Sequence, residues 1–212
     1  MKESFLIDVL KKGVSPFHCV EAAMQTLEES GFEELEYARP WNLKKGKAYM
    51  MNHHGTTLYA FTVGENFRAD AMLRMAAAHT DYPYLRIKPN ADFVTDRYAQ
   101  VNVEVYGGPI LNTWFDRPLG IAGRVIVRSG DVFAPETMLY RSGRPVLIIP
   151  NLAIHMDRTA NDGKKMNPQT DLLPLYALES ETVDFYSQIA QAAGVEKDDI
   201  LSDDLFLYNR QK

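Results

Sequence analysis

Residues 74–89, RMAAAHTDYPYLRIKP, contain the point at which the character of the sequence changes. Four small or apolar residues, 75–78, lead into His79 and Asp81, which share a turn-like HTD motif. Pro83 follows, and a proline restricts the residue before it and tends to end the preceding element. The stretch therefore raises two questions: which element it belongs to, and why that element ends on a histidine and an aspartate.

We predict a buried strand over residues 71–79, AMLRMAAAH, although the same residues have helical propensity. Residues i and i+2 of a strand point to the same face, so His79 and Asp81 would lie side by side. The carboxylate could then fix the tautomer of the imidazole while the other ring nitrogen binds a metal. The spacing alone, however, is more typical of a structural pair than of a metal site.

The residues before this stretch predict two helices and a hairpin. Residues 3–12 are the first helix, and residues 16–30 are the second, which Ser15 caps and Gly31 stops. From Lys47 the apolar residues recur with a period of two on both sides of an NHHG turn, which is typical of a β-hairpin.

The residues after Pro83 are rich in short predicted strands that Gly and Pro separate. These strands cover 84–89, 99–108, 123–130, 144–156 and 203–209, and one helix, 179–193, comes late and stops at Gly194. The helix has an apolar face that includes Val183. We therefore predict an α/β fold with a first domain over 1–83 and a β-rich second domain over 84–212.

Composition excludes several classes of protein. The chain has 212 residues, a formal net charge of −5 and a pI near 5.6, which argues against nucleic acid and anionic membranes as partners. Cys19 is the only cysteine, so a disulfide within the chain and a cysteine-based zinc site are excluded. The N-terminal residues lack the pattern of a signal peptide, and no apolar run has the length of a membrane span. We expect a cytoplasmic protein.

Five segments, in this order, resemble the M18 metallopeptidases, which include the aspartyl aminopeptidases and the vacuolar aminopeptidases. They are AAHTDYPYLRIKP (77–89), VEVYGGPILNTWFDRPLGIAGRV (103–125), IPNLAIHMDR (149–158), MNPQTDLLPL (166–175) and DDILSDDLFLYN (198–209). Because several long motifs recur across nearly the whole chain, the resemblance is specific. It implies the N-terminal part of a zinc-peptidase α/β/α catalytic domain, followed by a β-rich domain that is inserted into it and forms dimer contacts.

The resemblance also implies roles for three residues. His79 matches a ligand of a two-metal centre, which usually holds zinc and can hold other divalent metals. Asp81 matches the catalytic aspartate behind that histidine. His155 matches the histidine of a loop that reaches the active site of a neighbouring subunit and helps to hold the peptide substrate, although a structural histidine at the end of an apolar strand is nearly as good an interpretation.

The remaining metal ligands of M18 enzymes, including a Glu-Glu pair and a final histidine, follow the part of the family that this chain resembles. One histidine and one aspartate cannot complete a hydrolytic metal site. We therefore expect an N-terminal fragment of a dizinc aminopeptidase that is inactive alone. By the branch of the family that it resembles, the enzyme removes acidic N-terminal residues, Asp or Glu. The alternative is a self-association module that supplies homo-oligomer contacts without catalysis.

Other residues with catalytic side chains receive structural interpretations. Asp116 and Arg117 follow a tryptophan in a predicted turn, where the aspartate caps the turn and the arginine pairs nearby. His53 and His54 are adjacent, and adjacent residues of a strand point in opposite directions, so we predict exposed turn residues rather than a metal site. His18 lies on the second helix and receives no chemical role.

Overall fold

The computed structural model describes residues 3–68, 70–163, 165–178 and 184–211. The chain forms two compact units, Met1–Tyr82 and Pro83–Lys212, which divide it next to the predicted boundary. The predicted mixed α/β class is confirmed. None of the helices among the described residues is long and apolar enough to cross a bilayer.

The first unit begins with the two predicted helices, α1 (Glu3–Lys12) and α2 (Pro16–Glu29). The backbone N–H of His18 donates to the Ser15 hydroxyl at 3.3 Å, which satisfies one of the free N–H groups at the start of α2. Gly31 ends the helix in the left-handed region, at φ +85°, where glycine carries no steric penalty. The α2 side chains that face inward are buried and contact the neighbouring sheet.

Three strands form the sheet of the first unit. They are β1 (Glu33–Glu34), β2 (Ala48–His53) and β3 (Thr57–Thr62), in the order β1-β2-β3. The β2–β3 pair is the predicted hairpin, and its turn places His54 and Gly55 at φ 56° and 73°, as tight hairpin turns require. Tyr49, Met50 and Met51 of β2 are buried.

The prediction of a buried strand over residues 71–79 is wrong for this chain. These residues have no regular secondary structure and are exposed, and Met72 and Met75 expose 96% and 90% of their surface. A strand buried on both faces needs a neighbouring strand and cover on each face. Among the described residues, no strand pairs with this segment. His79 and Asp81 consequently do not lie on a strand.

One antiparallel sheet of six strands organises the second unit. The strands are β4 (Tyr84–Thr95), β5 (Tyr98–Tyr106), β6 (Leu119–Val127), β7 (Glu136–Arg141), β8 (Leu175–Leu178) and β9 (Ile200–Asn209), in the order β7-β6-β9-β4-β5-β8. A short helix α3 (Pro168–Asp171) and a longer helix α4 (Phe185–Ala193) complete the unit, together with 3₁₀ turns at Leu111–Trp114 and Lys197–Asp199. Phe185 and Ile189 of α4 are buried in the core of the sheet.

Two predicted elements differ in extent from the structure. Residues 144–156 form no continuous strand, and only isolated bridges at 147–149 join them to the neighbouring chain segments. Prolines 145 and 150 flank these bridges, and proline cannot donate to a ladder. The described part of the late helix begins at Phe185 with Asp184 as its cap, whereas the predicted start at 179 and Val183 lie outside the described residues.

Gly123 allows β6 and β9 to approach each other closely. A Cβ atom at this position would lie 2.0 Å from the Asp204 carbonyl oxygen and 2.9 Å from the Leu205 Cα. We therefore expect Gly123→Ala to lower the free energy of unfolding by roughly 1–3 kcal/mol or more, since backbone must move to accept the methyl group. Urea denaturation measures the change. The control is Gly130→Ala, which meets no atom within 4 Å, and equal stability of the two variants would contradict the prediction.

Candidate metal-binding site

His79 and Asp81 form a hydrogen-bonded pair at the end of the exposed segment. The Nδ1 atom of His79 lies 2.8 Å from Oδ1 of Asp81. The histidine side chain is 88% exposed and the aspartate side chain 30% exposed. The structure therefore brings these two predicted residues together, although on an irregular turn and not on a strand.

Neighbouring residues hold this turn on the first unit. The Thr80 hydroxyl donates to the Thr56 carbonyl oxygen at 2.6 Å, next to the start of β3. The Tyr82 hydroxyl donates to the Gly13 carbonyl oxygen at 3.0 Å, at the junction of α1 and α2. The side chains on both sides of Asp81 are thus bonded to backbone, which fixes the turn that carries the His79–Asp81 pair.

The geometry leaves one nitrogen of His79 available. A carboxylate only accepts hydrogen bonds, so a neutral His79 carries its proton on Nδ1 and keeps Nε2 unprotonated. No described residue bonds to Nε2. An exposed imidazole with a bare Nε2 and a carboxylate on Nδ1 is the arrangement that metal-binding histidines use.

The pair cannot hold a metal in the manner of a complete enzyme site. Zinc in hydrolases has three protein ligands and an open position. Within the described ranges, no group of three or more His, Cys, Asp or Glu side chains could hold a metal ion. The pair therefore supplies one ligand and the carboxylate that orients it.

His155 belongs to the second unit and lies in an exposed turn at 154–156. The Ala153 carbonyl oxygen accepts the N–H groups of Met156 and Asp157 at 2.8 and 3.1 Å, which closes this turn. The residue therefore does not close an apolar strand, so the structural interpretation of this histidine is wrong in its choice of element. Residues on both sides of His155 in sequence, among them Asn151 and Asp157, line a cavity of about 230 Å³ together with Asp171.

Asp116 and Arg117 have structural partners. The Asp116 carboxylate accepts the backbone N–H of Asn151 at 3.0 Å and its side-chain amide at 2.8 Å, and these two bonds lower the pKa of the carboxyl group. Arg117 donates to the Thr113 carbonyl oxygen at 3.1 Å. Asp116 therefore joins its turn to the segment that leads to His155, a contact between distant residues that sequence reasoning does not detect.

The other histidines also have structural environments. His53 ends β2 and packs against the exposed His54 in the hairpin turn, with ring centroids 4.2 Å apart and the ring planes tilted by 59°. His18 is buried, and its Nδ1 lies 2.7 Å from the hydroxyl of Ser15, the residue that caps α2. Burial raises the pKa of the Cys19 thiol. The sequence feature that predicts the Ser15–His18 contact is the three-residue spacing between a helix-capping serine and the residue it bonds.

Comparison with known proteins assigns the chain to a family. The sequence model of the "Aminopeptidase I zinc metalloprotease (M18)" family matches residues 9–212. The chain belongs to the M18 family. A "Probable M18 family aminopeptidase 2" of Clostridium acetobutylicum is 45% identical over 212 residues, which cover 98% of this chain and 49% of the relative. The chain thus spans about half the length of the curated relatives that it matches.

Solved structures agree with this assignment. The chain aligns with one in "Cryo-EM structure of the Ape4 and Nbr1 complex" with a TM-score of 0.89 and 31% identity, over 97% of this chain and 44% of that one. A second, "Structure of Chaetomium thermophilum mApe1", gives 0.87 and 28% over 98% and 50%. The fold of "Structure of S. cerevesiae mApe1 dodecamer" also matches, with a TM-score of 0.80 and 24% identity over 99% of this chain and 48% of that one. The predicted family is therefore confirmed, and the fold matches that of the solved proteins over about half of their length.

The His79–Asp81 hydrogen bond makes a prediction about the imidazole proton. Nitrogen-15 NMR at a pH where His79 is neutral should show the proton on Nδ1, because the Asp81 carboxylate can only accept it. Asp81→Ala should redistribute the proton between the two ring nitrogens. Asp8→Ala, a change on the exposed surface of α1, should leave the His79 signals unchanged. A wild-type His79 with its proton on Nε2 would contradict the assigned geometry.

Proposed function

We propose that this chain supplies the first histidine ligand of a zinc aminopeptidase centre, His79, together with its orienting carboxylate, Asp81. The observation that carries the proposal is the 2.8 Å contact between Nδ1 and Oδ1 in a chain of a zinc metalloprotease family. His79 and Asp81 directly follow an apolar segment. This position also favours the proposal, since His79 would lie at the end of that segment, beside the proposed metal site.

The donor atoms present fit one coordination position of zinc. An imidazole nitrogen is among the ligands that zinc prefers, and a carboxylate on the opposite nitrogen raises the basicity of that ligand. The other ligands of a two-zinc site would come from the half of the relatives that this chain does not cover. Manganese or cobalt could occupy the same kind of site, because both accept nitrogen and oxygen donors.

The proposed reaction is removal of the N-terminal residue from a peptide, with a preference for Asp or Glu. Bound metal ions would acidify a water molecule and polarise the first peptide carbonyl. Asp81 acts as a positioning residue here, because it accepts the Nδ1 proton of His79 and leaves Nε2 unprotonated. The acidic preference rests on the resemblance of residues 77–89 to the aspartyl branch of the family.

His155 would contribute to substrate binding from another subunit. Its exposed turn allows contact with a second protein chain, whereas a histidine within a strand of the sheet would be covered. The Asp116–Asn151 hydrogen bonds hold the residues just before this turn and would limit its movement. The single cysteine of the chain suits the reducing environment of the cytoplasm, where we place the protein.

The proposal predicts that the 212-residue chain has no measurable aminopeptidase activity alone. Hydrolysis of Asp-, Glu- and Leu-anilides should stay at the background rate with added zinc, manganese or cobalt, because the described residues form no group of three or more side chains that could hold a metal ion. Metal-dependent turnover by a homogeneous preparation would contradict it.

The same assay tests the role of His79 when the chain is joined to the second half of the Clostridium acetobutylicum relative. The joined protein should cleave Asp- and Glu-anilides faster than Leu-anilide, and His79→Ala should lower kcat by at least about 100-fold, as loss of a ligand or of its support does. The matched control is His54→Ala, because His54 is exposed in a hairpin turn. Equal activity of the two variants would exclude His79 as a metal ligand.

Self-association is the second candidate function, and the second unit favours it. Strands β7 and β8 end the strand order of the six-stranded sheet, and edge strands present unpaired backbone groups to other chains. On β8, Leu175 already exchanges hydrogen bonds with Ile148. Leu178 at the end of β8 is 72% exposed. One of the solved proteins with this fold, the S. cerevesiae mApe1, is a dodecamer.

We therefore expect the chain to form at least a dimer in solution through the second unit. Light scattering measures the molar mass of the wild type and of Leu178→Lys, in which a charge in a two-fold contact would appear twice and repel itself. Leu10→Lys, a change at a similarly exposed leucine of α1, is the control. A monomer at high protein concentration would exclude the module function.

A further inference from the structure

Asp116 holds the chain just before the turn that carries His155. Its carboxylate accepts the backbone N–H of Asn151 at 3.0 Å and the side-chain amide of the same residue at 2.8 Å. Its own backbone N–H donates to the Ile149 carbonyl oxygen at 2.8 Å. Three hydrogen bonds from one residue therefore bracket Pro150. We call these three bonds the Asp116 clamp.

The backbone of Asp116 has an unusual conformation. It lies in the left-handed region, at φ 56°, which residues other than glycine seldom adopt, although aspartate and asparagine tolerate it better than most. A residue in such a conformation is held there by the contacts around it, and these positions cluster at functional sites. The contacts that hold Asp116 are those of its own clamp, because its N–H and its carboxylate both bond to residues 149–151.

The carboxylate of Asp116 adds little to the packing of the second unit. Ile149 is buried, and Ile148 exchanges two hydrogen bonds with Leu175 of β8, at 3.0 and 2.8 Å. Asp116 and Asn151 are exposed, and hydrogen bonds between exposed groups compete with water. The carboxylate therefore fixes the direction of the chain after Pro150 rather than the packing of the residues before it.

The turn that carries His155 depends on this direction. Residues 152–155 are exposed, and among the described residues they make no hydrogen bond beyond the turn, which the Ala153 carbonyl oxygen closes. After the turn, the first described residue that is buried is Leu172. Asn151 is thus the nearest fixed point of the turn along the chain, and the Asp116 carboxylate holds it.

We propose that Asp116 is a positioning residue for His155: its carboxylate holds the exposed turn in the orientation in which the imidazole meets a peptide substrate. The inference rests on the proposed function for the role of His155. It adds that Asp116 controls substrate binding and not the chemical step. A binding group that is ordered before the substrate arrives lowers the entropic cost of binding, so loss of the clamp raises KM.

The first measurement is nitrogen-15 relaxation of the backbone amides of the 212-residue chain. Residues 152–156 should have order parameters of about 0.85, as rigid backbone does, and values below about 0.6 in Asp116→Gly. Glycine adopts the left-handed conformation freely, so this variant removes the carboxylate without adding strain. Asp116→Asn should give intermediate values, because its amide has one acceptor oxygen and asparagine also tolerates a positive φ.

Asp131→Gly is the matched control. The Asp131 carboxylate also accepts a backbone N–H, that of Phe133 at 2.9 Å, in the exposed connection between β6 and β7. This variant should leave the order parameters of residues 152–156 unchanged. The two glycine variants should have similar midpoints in urea denaturation, which separates a loss of positioning from a loss of folding.

The second measurement uses the chain joined to the second half of the Clostridium acetobutylicum relative. Asp116→Gly should raise KM for Asp-anilide about 10-fold and change kcat less than about two-fold, because it weakens binding and leaves the chemistry intact. In a His155→Ala background the same change should raise KM no further, as expected of a residue that acts through His155. Asp131→Gly should keep the wild-type constants.

Four results would overturn the proposal. They are unchanged order parameters in Asp116→Gly, an equal decrease in Asp131→Gly, a loss of order that extends over the whole second unit, and an additive increase of KM in the double variant. If His155→Ala leaves KM unchanged while the order parameters fall in Asp116→Gly as expected, the proposed role of His155 in substrate binding is refuted and the clamp on the turn is retained.

Discussion

The second unit depends on the position of β9, the last strand of the chain. It lies between β6 and β4, and it pairs with both in antiparallel register. Strand β9 therefore joins β6 and β7 to β4, β5 and β8, and the bridges of residues 147–149 to Leu119 and Leu175 are a second connection between the two parts. Leu205 and Leu207 of β9 are fully buried, so the same residues that complete the hydrogen bonds also fill the core. Because β9 has neighbours on both sides, it cannot move away from β6. Residue 123 of β6 must therefore be a glycine, which allows the close approach of the two strands.

Local elements are predictable from sequence because their signals are local. The Ser15–Pro16 cap, the Gly31 stop and the NHHG turn each act within a few residues, and the structure has α2 and the β2–β3 hairpin where these signals place them. The segment 144–156 is not predictable in the same way. Its apolar residues indicate burial, but whether they form a ladder depends on prolines and on partners that are distant in sequence.

The segment 71–79 shows where an apolar pattern misleads. An apolar run of this kind indicates that its side chains are suited to burial between other strands. Those strands need not be present in the same chain. The motif that ends the segment behaves differently. The sequence predicts His79 and Asp81 together on a strand, yet they meet on a turn, because two residues separated by one position can reach each other in either conformation. The pairing is thus predictable and the element is not.

The contacts that orient the His79 imidazole differ from those that would fix the position of the segment before it. The Asp81 carboxylate and the bonds of Thr80 and Tyr82 orient the imidazole with contacts from within the first unit. In water, an exposed pair of this kind adds little to stability, so its geometry matters for the proposed ligand role and not for folding. Residues 72–78, in contrast, make no backbone hydrogen bond to other described residues. The contacts of the first unit would therefore orient the imidazole of the proposed ligand without any contribution from residues 72–78.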